Sequence, residues 1–301
     1  RKRRKSCSVG LRYDYEHARC DFSKVQQPLN GNGETKSLEQ FNRSLHFGQF
    51  TPRFSMQYLS SHNQLFYASV SKGYKAGGFN VSFLNNDDYL YSPEYNWNYE
   101  IGTKLSFLNN RLSADLSLFY IDWRNQQITN TIPTVGNVIR NAGRSRNKGI
   151  EASFQARPTK SWMMYMNYGY TDARFVHYQK EERGILKDYE GNYLPMVPRH
   201  TFSLTTGYSF YDICSWIDRL TLNAGVSVTG PIYWYEDNQA KQSPYALVNL
   251  RISINKGCFT WEAWSKNLTN TDYLSYYFVT SKAYAQKGKP ITLGTSVSIS
   301  L

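Results

Sequence analysis

Hydrophobic and polar residues take turns along most of the chain. Arg219 to Thr229 reads RLTLNAGVSVT: Leu220, Leu222, Ala224, Val226 and Val228 share one face, Thr221, Asn223, Gly225 and Ser227 the other. Val248, Leu250, Ile252 and Ile254 alternate with Asn249, Arg251 and Ser253, and Leu112, Ala114, Leu116 and Leu118 with Ser113, Asp115 and Ser117. Period two is the mark of a strand whose faces meet different surroundings. A slip of one residue would exchange the faces, so each set fixes its own orientation. About twelve such segments are expected, each roughly ten to fourteen residues long, a length suited to a tilted membrane crossing. They begin near Ser6, Gly48, Gln64, Tyr95, Arg111, Asn147, Ser161, Arg199, Asp218, Pro244, Cys258 and Lys289.

The connections alternate in length. Short turns are expected at Ser60 to Asn63, Leu108 to Asn110, Arg157 to Lys160, Tyr211 to Trp216 and Asn255 to Gly257. Between them lie long polar loops, Asp21 to Leu45, Asn80 to Pro93, Thr129 to Arg144, Val176 to Val197, Pro231 to Gln242 and Asp272 to Lys287. Short turns at one end and long loops at the other describe an outer-membrane barrel. A soluble sandwich has no reason to segregate them. The expected fold is therefore all-β, an antiparallel transmembrane β-barrel. Lipid tolerates no open sheet edge, so the strands either close on themselves or pair with strands outside this sequence. The alternation leaves both open.

Composition agrees. The 301 residues include 25 Tyr, 16 Phe and 7 Trp, yet the mean hydropathy is −0.58, a pairing that suits a wet lumen and aromatic girdles. Tyr120 with Trp123, Trp162 with Tyr165, and Tyr233 to Tyr235 fall near strand ends. No apolar run approaches the roughly 18 residues of a spanning helix. A formal net charge of +12 suits lipopolysaccharide phosphates, an anionic cargo or nucleic acid. The opening run RKRRK supplies five of those charges and also reads as a solvated tail; no apolar leader segment follows it, so the chain is expected to be mature or incomplete.

Chemistry-bearing patterns are lacking. Cys7, Cys20, Cys214 and Cys258 form no CxxC pair, and the five His have no metal-ligand spacing. No catalytic constellation, metal or cofactor is expected, and the chain does not read as an enzyme. Asp115 and Asp122 read as a lumen-facing and a rim-facing carboxylate, and Glu181, Glu182, Arg183 and Lys187 as a solvated loop. Asn267-Leu268-Thr269 matches a glycosylation sequon by accident.

Several segments resemble TonB-dependent outer-membrane receptors. They are Tyr67 to Asn80 (YASVSKGYKAGGFN), Pro93-Glu94 with Asn98 to Gly102 (NYEIG), Arg111 to Trp123 (RLSADLSLFYIDW), Asn141-Ala142-Gly143 with Gly149-Ile150-Glu151, Pro195 to Pro198 before Phe202, and Asn267 to Asn270 with Tyr273. The resemblance covers Pro52 to Leu301, and the six pieces stand in the family's order. It implies a barrel of about 22 strands around an N-terminal plug, with residues 1–301 as a partial barrel lacking that plug. The strands here would be the last of the barrel. Gly294, Val297, Ile299 and Leu301 resemble the terminal signal read by the barrel assembly machinery, although family members commonly end in Phe or Trp.

What the resemblance implies is a receptor of the bacterial cell outer membrane taking up a scarce nutrient chelate, most often a ferric siderophore. It would be energised by the TonB complex through the missing plug and would meet outer-membrane lipid and lipopolysaccharide, with no nucleic acid partner. Gly73, Tyr74, Lys75, Gly77 and Gly78 are read as a barrel-rim device in preference to a ligand contact. They lack the GxxxxGK[ST] frame of a phosphate loop. Candidate cargo contacts are aromatic and basic loop residues: Tyr91, Tyr95, Arg140, Arg144, Tyr178, Trp234, Tyr235 and Tyr276, because rings stack on planar ligands and Arg pairs with carboxylates. The competing readings are a self-contained twelve-stranded pore or membrane-embedded hydrolase, closed between Ser6 to Tyr15 and Ile291 to Leu301, and a soluble β-sandwich lectin.

Overall fold

Alternating sequences pair into a ladder when each strand offers its neighbour the same two faces. A computed structural model of the chain describes residues 4–26, 36–60, 62, 64–83, 85–132, 135–141, 143–182, 185–279 and 282–300. Residues 1–3 of the basic run, Ala142, Arg183 and Leu301 lie outside the described residues, as do the side chains of Glu181 and Glu182. Twelve long strands form one sheet: β1 (Arg4–Gln26), β2 (Lys36–Leu59), β3 (Leu65–Lys75), β4 (Glu94–Phe107), β5 (Leu112–Arg124) and β6 (Arg144–Ala156), then β7 (Trp162–His177), β8 (His200–Cys214), β9 (Ile217–Thr229), β10 (Tyr245–Lys256), β11 (Phe259–Lys266) and β12 (Thr292–Ile299). Every pairing is antiparallel and between chain neighbours. Among the described residues β1 and β12 are the two edges, each paired on one side only.

The register carries one apolar face across all twelve strands. Val9 lies opposite Phe54, Phe54 opposite Val70, Ile101 opposite Leu118, Leu118 opposite Ile150, Val226 opposite Val248, and Trp261 opposite Val297. Val9, Leu11, Ile101, Leu118, Leu222, Leu250, Ile252 and Val297 are all exposed. A band this wide and apolar is a liability in water and an asset in hydrocarbon. The other face is polar: Lys104 pairs with Asp115 at 3.3 Å, and Arg251 lies 3.9 Å from Glu262. A thirteen-residue strand such as β5, β6 or β9 tilted by about 45° rises roughly 30 Å, the thickness of the hydrocarbon core.

At one end the strands are joined tightly. Leu108, Asn109 and Asn110 take φ of +52°, +55° and +67°, a left-handed run that turns β4 into β5. At the other end the long connections fold into small hairpins of their own: Gln127–Ile132 with Gly136–Asn141, Gln179–Glu182 with Ile185–Asp188, and Leu274–Val279 with Ala283–Lys287.

The first loop departs from expectation. Asp21 to Leu45 was expected to be a polar loop, whereas β1 runs to Gln26 and β2 starts at Lys36, in register at Phe22 opposite Phe41. The cause is aromatic packing above the membrane. Phe22 and Phe41 stack at 5.0 Å, and Phe83 and Tyr89 of the next loop close over them. The final strand begins at Thr292, three residues beyond the Lys289 expected. All four cysteines are free.

Candidate functional site

The outer loops are held by side chains that replace missing backbone partners. Asn80 Nδ2 donates to the Asp88 and Ile139 carbonyls at 2.7 and 2.8 Å, while its Oδ1 accepts the Ile139 amide at 2.8 Å. Asn141 bridges Ser92 and Asn125 in the same way. Glu94 Oε2 accepts the Gln127 amide, and Gln127 Nε2 donates to the Ala76 carbonyl. These contacts tie the 78–91 loop to the 127–141 hairpin. A second nucleus gathers Ala173, Phe175, Tyr178, Tyr189 and Leu194, all buried, where β7 rises out of the membrane. Backbone bonds from Phe175 to Asn192 and from Leu194 to Ala173 fold the 189–194 segment onto that strand.

Beside this nucleus the loops line a half-open cavity of about 500 Å³. Trp234 and Tyr235 enter from the connection after β9, Tyr276, Tyr277 and Phe278 from the hairpin after β11, and Ile128, Lys180 and Met196 from neighbouring loops. Trp234 meets Tyr276 edge-on at 6.4 Å, and Tyr235 meets Tyr277 edge-on at 6.2 Å. The Val279 amide donates to Tyr235 Oη. Burial pushes the Tyr235 phenol up, and the amide it accepts only partly offsets that. Trp234 Nε1 is buried with no hydrogen-bond partner among the described residues. A stranded indole N–H costs about 1–3 kcal/mol, a loss that an incoming acceptor oxygen would recover.

The sequence candidates are distributed unequally. Trp234, Tyr235 and Tyr276 line this one cavity. Tyr178 lies next to it in the loop nucleus, 4.8 Å from Phe175. Arg140 is clamped on Asp88 by two 2.7 Å bonds, and Arg144 holds Asp122 together with Arg124. Tyr95 carries Lys72 over its ring at 5.1 Å. The Tyr91 carbonyl lies where a Cβ on Gly77 would stand, so Gly77 admits no side chain, while the end of the Tyr91 ring packs on Gly78. Gly73 faces Asn96 in the β3–β4 ladder, Lys75 lies 3.9 Å from Glu94, and the Tyr74 hydroxyl is buried without a partner among the described residues. Gly294 sits under the Trp264 ring, while Val297 and Ile299 face outward. Sequence reading missed Phe278, Lys180 and Met196. Only the aromatic run Tyr276-Tyr277-Phe278 offered a signal for them, and no periodicity marks a loop cavity.

Comparison with known proteins decides the family. The model described as TonB dependent receptor-like, beta-barrel, matches residues 6–270. The chain belongs to the TonB-dependent receptor β-barrel family. It is 26% identical over 241 residues to the probable TonB-dependent siderophore receptor PiuA of Acinetobacter baumannii, covering 74% of this chain and 30% of that protein. It is 24% identical over 303 residues to the pesticin receptor of Yersinia pestis, covering 96% and 40%. Among solved structures, the ferric yersiniabactin uptake receptor FyuA of Yersinia pestis superposes with a TM-score of 0.81 at 21% identity, over 98% of this chain and 43% of that one. The chain thus spans well under half the length of these relatives. Family and fold together make it a segment of a bacterial outer-membrane β-barrel, with the short turns on the periplasmic side and the long loops outside.

Proposed function

We propose that this chain is the C-terminal part of a receptor barrel that takes up a ferric siderophore, with residues 1–301 as a partial barrel and the plug supplied outside them. The observation that carries the reading is the aromatic cavity among the outer loops, with its unpaired Trp234 indole N–H. Rings set edge-on around about 500 Å³ suit a planar aryl chelate. The names of the relatives, siderophore and ferric yersiniabactin receptors, point to the same cargo class.

In this reading the remaining strands pair at the β1 and β12 edges to complete a barrel of about 22 strands. The polar inner face, with Glu100, Asp115, Glu151 and Arg251, then receives the plug, through which the TonB complex delivers energy. The outward apolar band meets lipid, and β12 offers Gly294, Val297, Ile299 and Leu301 to the barrel assembly machinery.

Titration of the whole receptor with a ferric catecholate or phenolate chelate, followed by tryptophan quenching, tests the cavity. Trp234→Ala should weaken binding by about 1 kcal/mol, roughly fivefold, from lost ring contacts. Unchanged affinity in Trp234→Ala and in Tyr276→Ala would move the cargo site elsewhere.

A further inference from the structure

The first two strands bring together a pair of side chains that their spacing along the chain did not announce. The register sets His17 of β1 directly opposite His46 of β2. Directly opposed residues hold their Cβ atoms about 4.5–5.5 Å apart. The two imidazoles lie face to face, 4.4 Å between centroids and 3° from parallel, and both residues are exposed. Tyr15 Oη lies 2.8 Å from His46 Nδ1.

Their height is set by their neighbours on the same face of β1. Val9 and Leu11 belong to the outward apolar band. Tyr13, packed on Phe50 at 4.7 Å, and Tyr15 follow at the level of an interfacial girdle. His17 is one step further out, and Arg19 paired with Asp21 at 3.3 Å comes next. The imidazoles therefore stand in water, beyond the hydrocarbon and outside the bore. On the other face of the same hairpin, Phe22 and Phe41 pack on Phe83 and Tyr89.

Each ring covers the inner face of the other, which leaves the ring edges, with their nitrogen atoms, for a ligand. Neutral imidazole is a ligand for borderline divalent cations, at about 2.0–2.1 Å from the metal. Small rotations about the two Cβ–Cγ bonds point both Nε2 atoms at a common ion. With its Nδ1–H given to Tyr15 Oη, His46 presents the Nε2 lone pair, the arrangement by which ligating histidines are oriented. Among the described residues no third His, Cys, Asp or Glu joins the pair, so water fills the remaining coordination positions. We propose that His17 and His46 chelate one divalent transition cation, of the class of Zn²⁺, Ni²⁺ and Cu²⁺, and that this ion staples β1 to β2 above the membrane. Both ligands belong to this chain, and the site is separate from the cavity assigned to cargo. His200 supplies a comparison within the molecule. Tyr168 Oη lies 3.0 Å from its Nδ1, yet the residue opposite it is Tyr170. It has the orienting hydroxyl and lacks the second imidazole.

The test titrates the whole receptor, free of any tag and in detergent, with Cu²⁺ alone, read by electron paramagnetic resonance, and with Zn²⁺ alone, read by calorimetry. The first equivalent of Cu²⁺ should show splitting from two imidazole nitrogens. His17→Ala and His46→Ala should each weaken Zn²⁺ binding by about tenfold or more, and the double variant should lie close to the single ones, because a chelate is lost only once. Tyr15→Phe should weaken it less, and His200→Ala should change nothing. Mg²⁺, which takes oxygen ligands, should not compete. Heat-modifiable migration confirms that each variant is folded, and siderophore affinity, read in parallel, should be unchanged. A one-nitrogen Cu²⁺ spectrum, Zn²⁺ affinity equal to the parent in either single variant, or losses that add in the double variant as for two independent surface histidines would each overturn the assignment.

Discussion

Asn80 reaches two loop segments with one amide, satisfying the Ile139 N–H and both the Ile139 and Asp88 carbonyls. At 4% exposure, water cannot take over those bonds. Asn80→Ala should therefore cost about 2–3 kcal/mol locally, seen as faster amide exchange at Ile139 while the strands stay protected. Asn267 does the same between Thr271 and Lys289 in the turn after β11. Both residues lie in segments whose resemblance to the family was legible in the sequence, but their work was not. An Asn in a loop announces a turn, and only the fold shows which carbonyls it meets. Tyr235 carries a pH prediction. Its phenol is raised by burial, so the folded state holds the proton more tightly than the unfolded chain does. The stabilisation is complete below the ordinary tyrosine value near 10 and is lost as pH rises through the elevated one. In an ultraviolet titration the tyrosinate signal removed by Tyr235→Phe should belong to a late-ionising group; an early or unshifted one would contradict the burial.

At the level of the strand, the two faces have different solvents, and a charge should report which. Leu250→Arg puts a guanidinium into hydrocarbon, at a cost of about 2–4 kcal/mol near mid-depth, whereas Asn249→Arg on the adjacent inward position should cost only the bond its Oδ1 accepts from the Asn267 amide, about 1 kcal/mol. Unfolding of both variants from lipid vesicles gives the comparison, and equal costs would contradict the assigned faces. The membrane strands were readable from alternation because lipid and lumen impose opposite demands at every second residue. The upper parts of β1 and β2 were not, because above the membrane neither solvent is hydrocarbon. Phe22 and Phe41 earn their pairing instead by packing on Phe83 and Tyr89, some forty residues or more further along the chain. The loop hairpins escaped for the same reason: sequences such as Gln127–Ile132 are short, and their order comes from Asn80, Glu94 and Asn141 rather than from any period.

For the molecule as a whole, the continuous apolar band makes the chain a wall with lipid on one side, and among the described residues β1 and β12 are each paired on one side only, so in lipid each edge must find a strand partner. The outward lipid face and the polar inner face are assigned on that geometry, and both assignments fail together if the faces are reversed. Spin labels placed singly at Leu222, Val226, Leu250 and Ile252, and at Thr221, Asn223 and Asn249, in the receptor reconstituted in lipid vesicles, measure this directly through collision with oxygen in the acyl region and with a water-soluble nickel chelate. The first set should collide with oxygen and be shielded from nickel; the second should show low oxygen contact. Acyl-phase contact at Thr221 and Asn249, with Leu222 and Leu250 shielded, would contradict the account.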